Sequence, residues 1–295
     1  MRGFMEKSKF GVNLLFIGPI LIIYTLLFMY PFFEGLYYSF TNWNGVDPKV
    51  NFIGLKNYIE MFTKDEYFLP SLQRTFIIAV LNVALVNILA MIFALALTTE
   101  GRLNNLWRAM VFMPYMISMV VCGFIWRFML TNIVENLAEV TGMEFINQSW
   151  LGDPNIVIYS IVMVSTWWIA GYIMTIYIAG ILSIDQSLIE AGEIDGCNTQ
   201  QSFFKIKLPL MMPVVTVGVF LSISYSLKIF DTIYSLTGGG PGKASEVVML
   251  NLYRDAFVYN RYGYGTAKAI VLTLIIVIIT YLQMRMTNAK GNTES

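Results

Sequence analysis

Histidine does not occur in the sequence, and charge is scarce. Only 13% of the 295 residues are Asp, Glu, Lys or Arg, against roughly 25% in an ordinary soluble domain. Without histidine there are no imidazole general bases, no histidine proton relays and no histidine metal sites. The two cysteines are far apart, Cys122 in an apolar run and Cys197 in a polar loop, and read as free thiols. The formal net charge is zero, so a nucleic-acid footprint is not expected. No G-x-x-x-x-G-K-[ST] phosphate cradle occurs, so the chain is not expected to bind nucleotide itself. Acids and cysteines do not cluster within the apolar runs, which leaves a membrane-embedded enzyme without support. No cofactor and no metal are implied.

What is present is apolar length: 57% of the residues are hydrophobic. A helix needs about 20 apolar residues to cross the hydrocarbon core. Six runs qualify: Val12–Phe33, Thr75–Thr98, Met110–Leu130, Ile156–Leu182, Leu208–Ser235 and Ala267–Met284. Backbone in lipid must satisfy its own hydrogen bonds, which makes these helices. The first run follows Arg2, Lys7 and Lys9, as a signal peptide would. It is about twice too long for one and lacks a small-residue cleavage site, so it reads as an uncleaved span. The expected organisation is a cytoplasmic tail over 1–11, a six-helix membrane domain over 12–287 and a cytoplasmic tail over 288–295.

Lys and Arg in short loops set orientation. With the N-terminus inside, Arg2, Lys7, Lys9, Arg102, Arg108, Lys205, Lys207, Arg285 and Lys290 fall in short cytoplasmic segments. The outer loops carry nearly as many cations, Lys268 among them, over much longer stretches. The segment Thr131–Asn155 has no Lys or Arg and holds Glu135, Glu139, Glu144 and Asp153, as suits an outer loop. The expectation is N-in and C-in, which puts the polar loop 183–207 in the cytoplasm.

That loop contains "EAGEIDGCNTQQSFFKIKLP", Glu190 to Pro209. Ser187 with Glu190 three residues on is a candidate capping box. Leu188, Ala191 and Ile194 share helical spacing, and Gly196 offers a left-handed stop. The reading is a surface helix, a turn and a second helix that enters the membrane near Pro209. Such a unit is either an interfacial linker or a docking knob for a soluble partner.

The stretch resembles the EAA loop of binding-protein-dependent ABC importer permeases. That pattern runs E-A-A, then D-G-A three residues on, then F, I and L-P. Here it reads Glu190, Ala191, Gly192, then Asp195, Gly196, Cys197, then Phe203, Ile206, Leu208 and Pro209, departing at Gly192 and Cys197 where alanine is usual. "SFTNWNG…FIGLKNYIEMF" and "LKIFDTIYSLTGGGPGKASEVVMLNLYRDAF" resemble the carbohydrate-uptake branch, of maltose, glycerol-3-phosphate and multiple-sugar type. Together the resemblances span about residues 12–285.

The resemblance implies an all-α, type I importer permease in a bacterial cytoplasmic membrane, itself not an enzyme. Its implied partners are a second permease, two ATPase subunits and an extracytoplasmic substrate-binding protein. The loop would then couple to an ATPase, with Glu190 as an ion-pairing acid, Gly196 as the tight turn and Leu208–Pro209 as the joint to the fifth span. Cargo is implied at two stripes. One is Ser165, Trp168, Ile169 and Tyr172; the other is Ser222, Tyr225, Ser226 and Ile229. Plain helix packing explains serine and aromatic stripes equally well. Lys228 and Asp231, the notable charges of the fifth run, are expected to pair at i, i+3 or to serve a gate. One alternative is an ion-coupled secondary transporter of a small polar solute, although Asp231 is its one candidate coupling acid and inverted repeats are not evident; the other is glycerol-phosphate-type cargo within the same importer family.

Overall fold

The computed structural model describes residues 16–98, 101, 103–142 and 148–291. The expectations for the tail 1–11, for Val12–Leu15 of the first run, and for Arg102, Glu144 and 292–295 lie outside them. Among the described residues the regular elements are helical, and the only pairing of extended backbone is one antiparallel bridge between Thr41 and Phe52. The helices are α1 Phe16–Tyr38, α2 Lys56–Thr63, α3 Phe68–Thr98, α4 Asn104–Met116, α5 Met119–Ile133, α6 Val134–Thr141, α7 Val157–Leu182, α8 Gln186–Ile194, α9 Thr199–Leu227, α10 Val248–Tyr253 and α11 Tyr262–Gly291. Five of them are long and apolar enough to cross a membrane, or six spans if α4 and α5 count as one.

Several expected boundaries change, three of them with a structural consequence. The second span starts earlier, at Phe68, because Ser71 and Thr75 fold their hydroxyls back onto the carbonyls of Phe68 and Ser71 (2.7 and 2.8 Å) and so fit a helical start. The third span is not one helix: α4 and α5 meet at 96°, and Ile117 and Ser118 between them are extended. The fifth span ends at Leu227 instead of Ser235, and a separate π turn follows over Ile233–Thr237.

The chain divides into two units. The larger comprises 66–251 and 272–295. At its centre is α7, which packs mainly on α3 and also on α4 and α9. Two-thirds of its most apolar window is buried, as expected of a helix that is apolar all round. Val86, Ala90 and Ala94 recur every four residues on α3 and meet Ile169, Ile173, Met174 and Tyr177 of α7. Alanines let the two backbones approach, which is how helices associate where lipid removes the hydrophobic drive. Glycines do the same elsewhere: a methyl group on Gly171 would strike the Val111 carbonyl of α4, and one on Gly218 would strike the Tyr177 ring.

The smaller unit comprises 1–65 and 252–271. Asn57 of α2 donates to the carbonyls of Ser39 and Thr41 (2.8 and 2.9 Å), fastening α2 to the turn after α1. Tyr38 stacks on Trp43 at 4.2 Å between ring centres, and Tyr262 stands edge-on to Trp43. Lys268 is fully buried, between Asp65 at 2.6 Å and Asp255 at 2.5 Å. The Tyr264 hydroxyl donates to the same Asp65 carboxylate at 2.7 Å. None of the residues of α1 is buried.

Candidate functional site

The polar loop folds as helix, turn, helix. α8 begins two residues earlier than the capping-box expectation. Asp185, not Ser187, is the cap, and its Oδ1 accepts the Ser187 amide at 3.0 Å. Hydrogen bonds from the Ser187 backbone and side chain hold the Asp185 carboxyl below the usual carboxylate range. The capping box occurs one helix later: Asn198 Oδ1 accepts the Gln201 amide, and Gln201 Oε1 accepts the Asn198 amide, both at 2.9 Å. Its N-x-x-Q spacing is the local sequence signal that marks it.

α8 ends as a Schellman motif. The Cys197 amide reaches back to the Gly192 carbonyl at 2.9 Å and the Gly196 amide to Glu193 at 3.0 Å. Gly196 holds φ +81°, the left-handed conformation such an end demands. Gly192 is the buried residue of α8, and a methyl group on it would meet the tip of Ile206 at the start of α9. The departure from alanine there lets α8 sit close against Ile206. Glu190, Ala191, Asp195 and Gly196 are exposed, Cys197 and Leu208 are half-buried, and Pro209 is exposed. Phe203–Lys207 forms a π turn that leads straight into the membrane-length part of α9.

The membrane stripes separate by chemistry. Ser165, Ser222 and Ser226 are fully buried. Ser165 bonds to the Ile161 carbonyl of its own helix. Ser226 accepts from Asn82 and Ser222 accepts from Asn87, each at 2.9 Å. The other ends of these amides are held by Thr166 and by the Tyr177 hydroxyl. Ser222 and Ser226 therefore belong to a network that ties α3, α7 and α9 together, whereas Ser165 does not. Ile169 and Ile229 are buried too.

Trp168, Tyr172 and Tyr225 remain half-exposed and are brought together by a residue the sequence reading missed, Tyr115 at the end of α4. Its ring lies parallel to Tyr172 at 4.5 Å and tilts against Trp168 at 4.7 Å, and Trp168 stacks on Tyr225 at 5.6 Å. The bend after Met116 brings Tyr115 there, and no periodicity in the apolar run marks it. The Trp168 indole N–H also donates to the Ile117 carbonyl at 2.9 Å, satisfying an acceptor that the break frees.

Lys228 and Asp231 do not share a helix, because α9 has ended. Both are exposed on one pocket, and no ion pair closes between them.

Residues 86–289 match the family described as binding-protein-dependent transport system inner membrane component. The chain is 36% identical to the probable starch degradation products transport system permease protein of Thermoanaerobacterium thermosulfurigenes, over 97% of this chain and 98% of that one. It is 30% identical to the multiple sugar-binding transport system permease protein of Streptococcus mutans, over 90% and 92%. It is also 30% identical to the sn-glycerol-3-phosphate transport system permease protein of Agrobacterium fabrum, over 94% of each chain. Among solved structures it shares the fold of a bacterial ABC transporter involved in the import of the acidic polysaccharide alginate, with a TM-score of 0.82, 22% identity and coverage of 98% and 99%. Multi-pass architecture, apolar spans and family match agree: the chain belongs to the binding-protein-dependent inner membrane components, the permease subunits of ABC importers.

Proposed function

We propose that the chain is a permease subunit of an ATP-driven sugar importer, working by alternating access, with its N- and C-termini in the cytoplasm. It pairs with a second permease and two ATPase subunits, one of which docks on the loop 183–207. An extracytoplasmic binding protein delivers the cargo. The observation that carries the reading is the loop itself. α8 is exposed along Glu190 and Asp195, stopped by a left-handed glycine, and braced through Gly192 on Ile206 of the span it drives. A rigid, exposed knob joined without slack to a membrane helix suits the transfer of motion from a soluble motor. Glu190 reaches a basic residue of the ATPase, and removing one partner of such an interface pair costs about 2–5 kcal/mol. The sugar assignment draws on the named cargoes of the relatives. The half-exposed rings of Tyr115, Trp168, Tyr172 and Tyr225 supply flat apolar faces for sugar rings, with Tyr115 joining the two expected stripes.

The test is affinity purification of the tagged chain, gently solubilised, with and without Glu190→Arg. An ATPase and a second permease copurify with the wild type, and Glu190→Arg loses the ATPase alone. A chain that emerges without any ATPase sinks the proposal. Uptake that survives ATP depletion but collapses with an uncoupler points instead to an ion-coupled transporter.

A further inference from the structure

We infer that α2 lies in the membrane–water interface and that its exposed face is a docking site for lipid, with a preference for anionic headgroups. Anchors on two sides fix its level. Asn57 donates to the carbonyls of Ser39 and Thr41, just past the last residue of α1, and the Tyr58 hydroxyl donates to Ser39 Oγ at 2.7 Å. On the other side Glu60 pairs with Arg261 at 2.6 Å, one residue before α11 begins. α1 runs 23 residues, about 35 Å at 1.5 Å per residue. That exceeds the hydrocarbon core of about 30 Å, so the end of α1 stands in the headgroup region. Tyr37, Tyr38, Trp43 and Tyr262 gather at this level, as aromatic rings do at a membrane boundary.

The circumference of α2 divides three ways. Side chains on a helix advance by about 100° per residue. Asn57 and Met61, four apart, are the buried residues of α2. Leu55 at the cap, Ile59 and Phe62 form an apolar arc, each more than half exposed. Exposed Phe52 continues that stripe ahead of the helix. Lys56, Glu60 and Thr63 form a polar arc beside it. A helix that buries one stripe in the protein and still shows an apolar arc next to a polar one suits a boundary, with the apolar arc among acyl chains and the polar arc in water.

Charge selects the occupant. The acids of 41–65 are Asp47, Glu60 and Asp65, and each is engaged, by Asn44, Arg261 and Lys268 respectively. Lys49, Lys56 and Lys64 are exposed and close no ion pair among the described residues. The uncompensated charge around the apolar arc is therefore positive. Lysine is depleted from the cores of protein interfaces, whereas at a membrane its stem lies along apolar surface while the ammonium reaches out to water or phosphate. An apolar arc edged by free lysines fits an anionic lipid surface better than a protein partner.

The experiment uses the chain copurified with its native partners, in nanodiscs of phosphatidylcholine and phosphatidylglycerol. Cys122 and Cys197 are replaced by alanine. An environment-sensitive fluorophore is attached at Phe62→Cys, at Ile59→Cys or, as the reference on the polar arc, at Thr63→Cys. Lipids with a nitroxide near the top of the acyl chain report lipid contact, and iodide reports water. The Phe62 and Ile59 probes are expected to be quenched by the nitroxide lipids and spared by iodide, and the Thr63 probe to show the reverse. Nitroxide carried on phosphatidylglycerol is expected to quench more than the same nitroxide on phosphatidylcholine. Lys56→Gln and Lys64→Gln are expected to lower that preference by about fivefold per lysine while leaving the acyl contact in place. Phe62 and Ile59 probes that iodide reaches and lipid does not mean a face in water, and overturn the inference. Probes shielded from both mean a protein cover, such as the second permease or the binding protein, and overturn it as well. Equal quenching by the two lipids overturns the headgroup preference.

Discussion

Gly196 sits at φ +81°, a left-handed conformation that costs any L side chain about 1–2 kcal/mol. Gly196→Val is therefore expected to disturb the end of α8 and abolish ATPase copurification while leaving the amount of chain in the membrane unchanged. Serines that look alike in sequence should behave differently. Ser226→Ala strands the Asn82 amide in the core and is expected to cost about 1–2 kcal/mol. Ser165 bonds only to its own helix, so Ser165→Ala is expected to be nearly neutral. Equal thermal shifts for the two variants in detergent would show that the asparagine network does not hold the helices. The faces carrying Ser165, Ser222 and Ser226 could be read from spacing. Their partners Asn82 and Asn87 come from a helix far away in sequence, and no local pattern announces them.

For elements, the break between α4 and α5 is the main lesson. The run Met110–Leu130 is apolar throughout, so hydropathy reads one span and has no means of registering a 96° bend. Pro114 is the one local mark, and the chain turns three residues after it. What holds the bend is tertiary: the Trp168 indole on the Ile117 carbonyl, and Gly171 against Val111. Trp168→Phe keeps an aromatic ring but leaves that carbonyl without its donor. It is expected to lower stability by about 1 kcal/mol and to speed hydrogen exchange near Ser118. Gly171→Val drives a side chain into backbone and is expected to cost about 1–3 kcal/mol, read as a fall in Tm. The surface helix α8 was legible because its signals are local: helical spacing and a terminal glycine. Its true cap was not, since Asp185 and Ser187 are both competent residues and only the geometry chooses.

At the scale of the molecule, the apolar spans were legible, as five or six, because lipid imposes length and apolarity on each of them. Buried charge was not. By position Lys268 reads as an outer cation, yet it is fully enclosed by Asp65, far away in the sequence, and Asp255, 13 residues before it. Lys268→Met leaves two buried acids facing one another and is expected to destabilise the smaller unit by about 3–5 kcal/mol. Combining it with Asp65→Asn and Asp255→Asn is expected to recover most of that loss. A fall in folded yield for the single variant with recovery in the triple is the outcome to look for in detergent extracts.

α1 has no buried residue anywhere along its 23 residues, whereas α7 is mostly enclosed. The two helices therefore answer to different constraints on sequence drift. For the folding of this chain alone, α1 needs only to be apolar and about 30 Å long, so one aliphatic side chain serves there as well as another. α7 must keep shape at nearly every position. A saturation scan scored on membrane-folded yield would find α1 permissive to any exchange among Leu, Ile, Val and Phe, and α7 intolerant of most.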